Sequence, residues 1–125
     1  MRYMAFISMP EDEAPPPQAL VEAMGEHVQK SFADGTLVDT GGLYGPDAWT
    51  EVRLAGGTVT TTDGPFAEAT EVVGGYAIIE VRDHAEAVEQ AQRMIAIHAE
   101  HWPEWNGSCT VRRIAGPDEG PPTRD

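Results

Sequence analysis

Residues 61–76 read TTDGPFAEATEVVGGY, and the fold turns on how the chain passes through them. Asp63-Gly64-Pro65 is strong turn chemistry: an Asp side chain hydrogen-bonds its own backbone two residues on, Gly accepts positive φ, and Pro fixes φ at about −65°. Before the turn, residues 58–62 (TVTTT) are β-branched throughout and read as a strand. They form a hairpin with residues 49–54 across Ala55-Gly56-Gly57. After the turn, residues 74–81 (GGYAIIEV) make the most apolar strand of the chain, which suits a central place in a sheet. The stretch therefore carries the chain from a peripheral hairpin into the middle of the fold.

Working outward, residues 3–8 read as a buried first strand and residues 10–17, with three consecutive prolines and three acids, as a loop. From Gln18 the period changes. Leu20, Val21, Met24, Val28 and Phe32 share one side of a helix, Glu22, Glu26, Gln29 and Lys30 take the other, and Gly35 stops it. Residues 36–43 return to strand character, with Gly41-Gly42 marking a bulge or the close approach of another backbone. Asp83 and Glu86 have capping-box spacing and open a second helix, whose stripe is Ala87, Val88, Ala91, Met94, Ile95 and Trp102, and which ends at Pro103. Residues 108–114 read as a last strand. The order is βαββαβ with an inserted hairpin, an α+β ferredoxin-like arrangement with both helices on one face of an antiparallel sheet. The other sheet face is left bare, so two copies are expected to stack as a homodimer in the manner of a dimeric α+β barrel. A single domain is expected over residues 1–114, followed by a mostly disordered acidic, Pro/Gly-rich tail over residues 115–125.

The net charge of −13 repels phosphate backbones, and no basic stripe offsets it, which argues against nucleic-acid binding. Cys109 is the single cysteine; it excludes an internal disulfide and multi-cysteine metal sites and permits a reducing compartment. The apolar N-terminus is too short to span a bilayer and lacks a secretory h-region, so a cytoplasmic protein without membrane association is expected.

The candidate site residues are the histidines and their neighbours. His98 points to the core side of the second helix, where burial favours the neutral imidazole that acts as a base or a ligand; the competing reading is a core histidine bonded to a carbonyl. His101 lies one turn on, either as a partner for His98 or as a favourable charge at a helix C-terminus. No third ligand completes a metal signature, so neither metal nor cofactor is expected. His27 sits at the rim of the first helix's stripe. Tyr76 and Trp102, with Trp105, either shape a small-molecule pocket or fill the core. Ser8, Ser31 and Cys109 lack the context of an activated nucleophile, and the glycine pairs lack that of a phosphate loop.

Residues 61–76, together with HAEHWPEW at residues 98–105, resemble the DGPF branch of the YCII-related family, and the resemblance runs over about residues 2–114. It implies the dimeric α+β barrel and a His/Asp acid–base pair whose Asp corresponds to Asp63. The family's His falls at Met24, one turn before His27, so His27 or His98 would stand in for it. On this basis Asp63, His98 and His101 are the expected catalytic groups, with His27, Tyr76 and Trp102 contacting substrate, in a small-molecule enzyme of isomerase or lyase type. The alternative is a non-catalytic ligand-binding or protein-interaction module accessory to gene regulation, because members of this branch are often encoded near extracytoplasmic-function sigma factors. An acidic surface would then favour a basic protein partner.

Overall fold

Six strands and two helices follow in the order β1 (Arg2–Pro10), α1 (Gln18–Ala33), β2 (Leu37–Gly42), β3 (Thr50–Ala55), β4 (Thr58–Asp63), β5 (Glu71–Glu80), α2 (His84–His101) and β6 (Ser108–Arg113) in the computed structural model, which describes residues 1–66 and 68–122. β2-β5-β1-β6 form one antiparallel sheet, and β3-β4 form a separate two-stranded sheet. With the hairpin set aside, this is the ferredoxin-like order expected from the sequence. Among the described residues no helix is long and apolar enough to cross a membrane.

The β1–β5 ladder sets the register. Tyr3 pairs with Ile79, Ala5 with Ala77 and Ile7 with Gly75, and the pairing then shifts between Ile7 and Ser8, leaving Gly74 unpaired in a bulge. Because side chains alternate across a strand, those paired residues face the helices. Tyr3, Leu37, Ile79, Val81 and Ala87 are the buried cluster, with Val28, Ala77 and Val111 packed against it. Met4, Phe6, Tyr76 and Ile78 fall on the opposite face, which neither helix covers. Both central strands outrun their expected limits. β1 continues to Pro10 and β5 starts at Glu71, because these two residues pair and the Glu11 N–H donates to the Thr70 carbonyl at 3.0 Å.

α1 departs from the expected stripe. Leu20 is buried, but Val21 and Phe32 are 49% and 46% exposed. At about 100° per residue His27 and Ser31 lie within about 20° of Leu20, whereas Val21 and Phe32 lie 100° or more away. Two polar residues thus occupy the middle of the sheet-facing side, and His27 is within that side, not at its rim. Gly35, at φ 83°, ends the helix, and the Thr36 N–H donates to Asp34 Oδ1 at 2.9 Å. In α2 the stripe holds: Ala87, Met94 and His98 are its buried residues.

The β3–β4 hairpin stands off the main sheet with every strand residue exposed, and its turn uses Gly56 and Gly57 at φ 57° and 78°. The Gly64 N–H donates to the Trp49 carbonyl at 2.7 Å, closing the base of the hairpin. A Cβ at Gly64 would collide with the Pro46 carbonyl, so only glycine fits there. In the tail, where disorder was expected, Pro117–Glu119 makes a 3-10 turn whose Glu119 carboxylate accepts from the Gly116 N–H at 3.1 Å. Residues 123–125 of the expected disordered tail, and Ala67 in the turn stretch, lie outside the described residues.

Asp83 caps α2 by accepting from the Glu86 N–H at 2.9 Å, while the Glu86 carboxylate pairs with Arg82 and does not return to the cap. The cap therefore depends on Asp83 alone. Asp83→Ala is expected to lower stability by about 1 kcal/mol, read from urea unfolding, and Glu86→Gln by a few tenths at most; equal effects would mean that the cap is not one-sided.

Candidate functional site

Between α1, α2 and the covered face of the sheet lies a cavity of about 240 Å³. It exists because the chain places small residues where the layers meet. Gly74 and Gly75 on β5 carry no side chains into the space, and Ala5, Ala77 and Ala91 carry little. Gly75 has no positive φ, and a Cβ there would meet only the Gly41 carbonyl at 3.3 Å and Ile7 at 3.9 Å. Its φ does not require glycine, but a Cβ would crowd the Gly41 carbonyl of β2, so glycine both admits the close approach of the two strands and leaves the volume open.

His27 from α1 and His98 from α2 both border this cavity, together with Met9, Met24, Met94, Cys109 and the polar residues Ser31, Thr36, Thr40 and Gln90. His98 is 8% exposed, and its Nδ1 lies 2.9 Å from the Met94 carbonyl oxygen. A carbonyl only accepts, so Nδ1 donates to it, and in the neutral form of the ring the lone pair is then at Nε2. Nε2 makes no hydrogen bond among the described residues. Both sequence alternatives for His98 therefore hold at once: it is a core histidine bonded to a carbonyl, and it borders a cavity.

The indole of Trp105 lies against His98 with ring centroids 4.5 Å apart, and Trp102 stacks behind it at 6.4 Å. Trp105 lies over Gly107, where a Cβ would run into its ring and approach the Ser8 carbonyl to 2.7 Å. Its Nε1 is buried without a partner among the described residues, at a cost of about 1–3 kcal/mol.

Three of the six predicted site residues lie away from the cavity, and a fourth turns its ring from it. Asp63 is exposed at the end of β4, where its carboxylate accepts from the Thr50 hydroxyl at 2.7 Å; it closes the hairpin and does not border the cavity. His101, the last residue of α2, lies 3.8 Å from Glu100 and away from the cavity. Trp102 contacts Trp105, not the cavity. Tyr76 borders the cavity through its place in β5, but its ring lies over Gly41 on the far face, with the hydroxyl 3.4 Å from Asp39. Among the described residues no group of three or more His, Cys, Asp or Glu is placed to hold a metal ion.

Burial pushes the Cys109 thiol up, which leaves it protonated and unreactive at neutral pH. His27 is held below its ordinary 6.5, mainly by burial and next by the Arg93 charge, with Lys30 adding to this and Asp34 opposing it. Sequence reasoning missed the three methionines and the glycine floor. The available signal was the pair Gly41-Gly42 and Gly74-Gly75, which the β2–β5 register sets side by side.

A family model described as the YCII-related domain matches residues 1–106. The match takes in β1 through α2, and β6 lies beyond it. No protein of curated function matches the chain.

The lowered His27 pKa sets a pH dependence. The unfolded chain binds a proton that the folded state resists, so this contribution to stability is complete above the unfolded value of 6.5 and is lost as pH falls below it. His27→Gln is expected to flatten the fall in urea midpoint between about pH 7 and 5. An unchanged slope would show that His27 titrates alike in both states.

Proposed function

We propose that this chain, which belongs to the YCII-related family, binds a small molecule in the cavity between its helices and its sheet, with His98 Nε2 as the group that accepts a hydrogen bond from it. The observation that carries this is the His98 tautomer. A buried imidazole whose Nδ1 proton is committed to the Met94 carbonyl offers Nε2 as a lone-pair acceptor at a cavity wall. The glycine at position 75, whose φ is not positive, supports the same reading because it carries no side chain into the cavity. Met24, where the family resemblance puts the histidine, borders this cavity as well.

Proton-transfer catalysis of isomerase or lyase type is the second reading, favoured by the presence of two imidazoles on one cavity. His98 would be the base, and His27 would return the proton. A positioned base of this kind contributes about 10²–10⁴-fold to a rate. Asp63 has no part in this version, because its carboxylate is engaged with Thr50 in the hairpin.

The face of the sheet bearing Met4, Phe6, Tyr76 and Ile78 supports a homodimer in which two such faces stack, with the cavities on the outer sides. Sheets pack face to face about 10 Å apart when each contributes apolar side chains.

Two measurements test these proposals. A thermal-shift screen of small neutral molecules is expected to find ligands that stabilise the wild type, by about 2.7 kcal/mol at a hundredfold excess over Kd. Gly75→Leu should abolish the effect while the variant still folds; stabilisation that survives Gly75→Leu would place the ligand elsewhere. Light scattering is expected to give twice the chain mass for the wild type and the monomer mass for Phe6→Glu, and a wild-type monomer would rule out stacking through this face.

A further inference from the structure

The chain carries 8 basic and 21 acidic residues, yet among the described residues no Arg, Lys, Asp or Glu borders the cavity. Its only ionisable bases are His27 and His98, and burial keeps His27 uncharged at neutral pH. A carboxylate, phosphate or ammonium group inside would lose hydration and find no charged side chain on the walls to pair with. The cavity thus selects neutral molecules.

Its walls narrow the choice further. On the sheet side Gly75 carries no side chain into the space and Met9 lies over Gly74, so the thioethers of Met9, Met24 and Met94 are presented to the cavity from sheet and helices alike. Polarisable sulfur packs favourably against aromatic rings. An apolar cavity of about 150 Å³ takes up benzene, so about 240 Å³ suits one substituted ring or two fused rings. His98 completes the specification, because in the neutral ring with Nδ1 engaged by Met94 it is Nε2 that accepts.

We infer that the cavity takes a neutral, planar aromatic molecule of one or two rings that carries an O–H or N–H donor directed at His98. The inference rests on the ligand-binding role proposed above and narrows it to a chemical class, excluding the anionic metabolites that would suit a site lined by arginine.

Methionine methyl NMR tests it with an internal control. Met9, Met24 and Met94 border the cavity, while Met4 lies on the opposite sheet face and Met1 is 51% exposed. Phenol, toluene, cyclohexanol and benzoate are titrated into the full chain labelled with ¹³C in the methionine methyls. Phenol is expected to move Met9, Met24 and Met94 with ring-current shifts and leave Met1 and Met4 in place. It should bind at least as tightly as toluene, although burying an unpartnered hydroxyl would weaken it about tenfold. Cyclohexanol should bind more weakly than phenol, and benzoate should give no shift. Benzoate binding as well as phenol would overturn neutrality, cyclohexanol matching phenol would overturn planarity, and a roughly tenfold preference for toluene would overturn the donor to His98. If none of the four moves the three cavity methionines, the ligand-binding role fails with the inference; if cyclohexanol binds and phenol does not, only the class is wrong.

Discussion

The antiparallel register of β1 against β5 is the constraint on which the rest of the molecule depends. It puts Tyr3, Ala5 and Ile7 opposite Ile79, Ala77 and Gly75 on one face, and with them it decides what α1 and α2 have to cover. A slip of one residue would turn Met4, Phe6, Tyr76 and Ile78 to the helices and the present core to the outside. The shift between Ile7 and Ser8 is equally consequential. It frees Gly74 from the ladder and brings Met9 over it, where an added Cβ would lie 2.7 Å from the Met9 methyl carbon.

From that register follows a sheet with two unlike faces. One carries bulky apolar side chains and no covering layer. The other is covered by two helices but is incompletely filled, because glycine and alanine stand where a closed core would have leucine or valine. Protein interiors are ordinarily packed to the density of organic crystals, so about 240 Å³ of open space beside a buried histidine is expensive to maintain. In a domain of 125 residues with little core to spare, that space is the observation on which the proposed ligand-binding role rests. Trp105 and Gly107 add to this picture: a bulky ring lies on His98 at the cost of an unpartnered indole N–H.

Much of the architecture was legible from local chemistry. Asp83 at a cap, Gly35 at a helix end, Ala55-Gly56-Gly57 in a hairpin and the alternation of period between 2 and 3.6 each act over a few residues, and each element they announce is present. The site was legible only in part. His98 was readable as an inward-facing position of α2, whereas His27 read as the rim of α1's stripe; both border the cavity. Asp63 and His101 drew attention by motif and by proximity in sequence, but neither measures distance in space. Asp63 is held in the hairpin by Thr50, in a sheet separate from the one that forms the cavity. The methionines passed for core because a thioether in a helical stripe looks the same whether it fills a core or borders a void.

By itself the sequence determined the elements, their order, the buried face of α2 and the acidic, single-cysteine character of the chain, since all of these follow from neighbours a few residues apart. Only the tertiary structure decided which glycines open a cavity, which histidines meet at it, which proton His98 holds and where Asp63 is spent. Those outcomes depend on strand pairings between residues far apart in the chain, such as Ile7 with Gly75 and Gly41 with Tyr76. No local propensity encodes them.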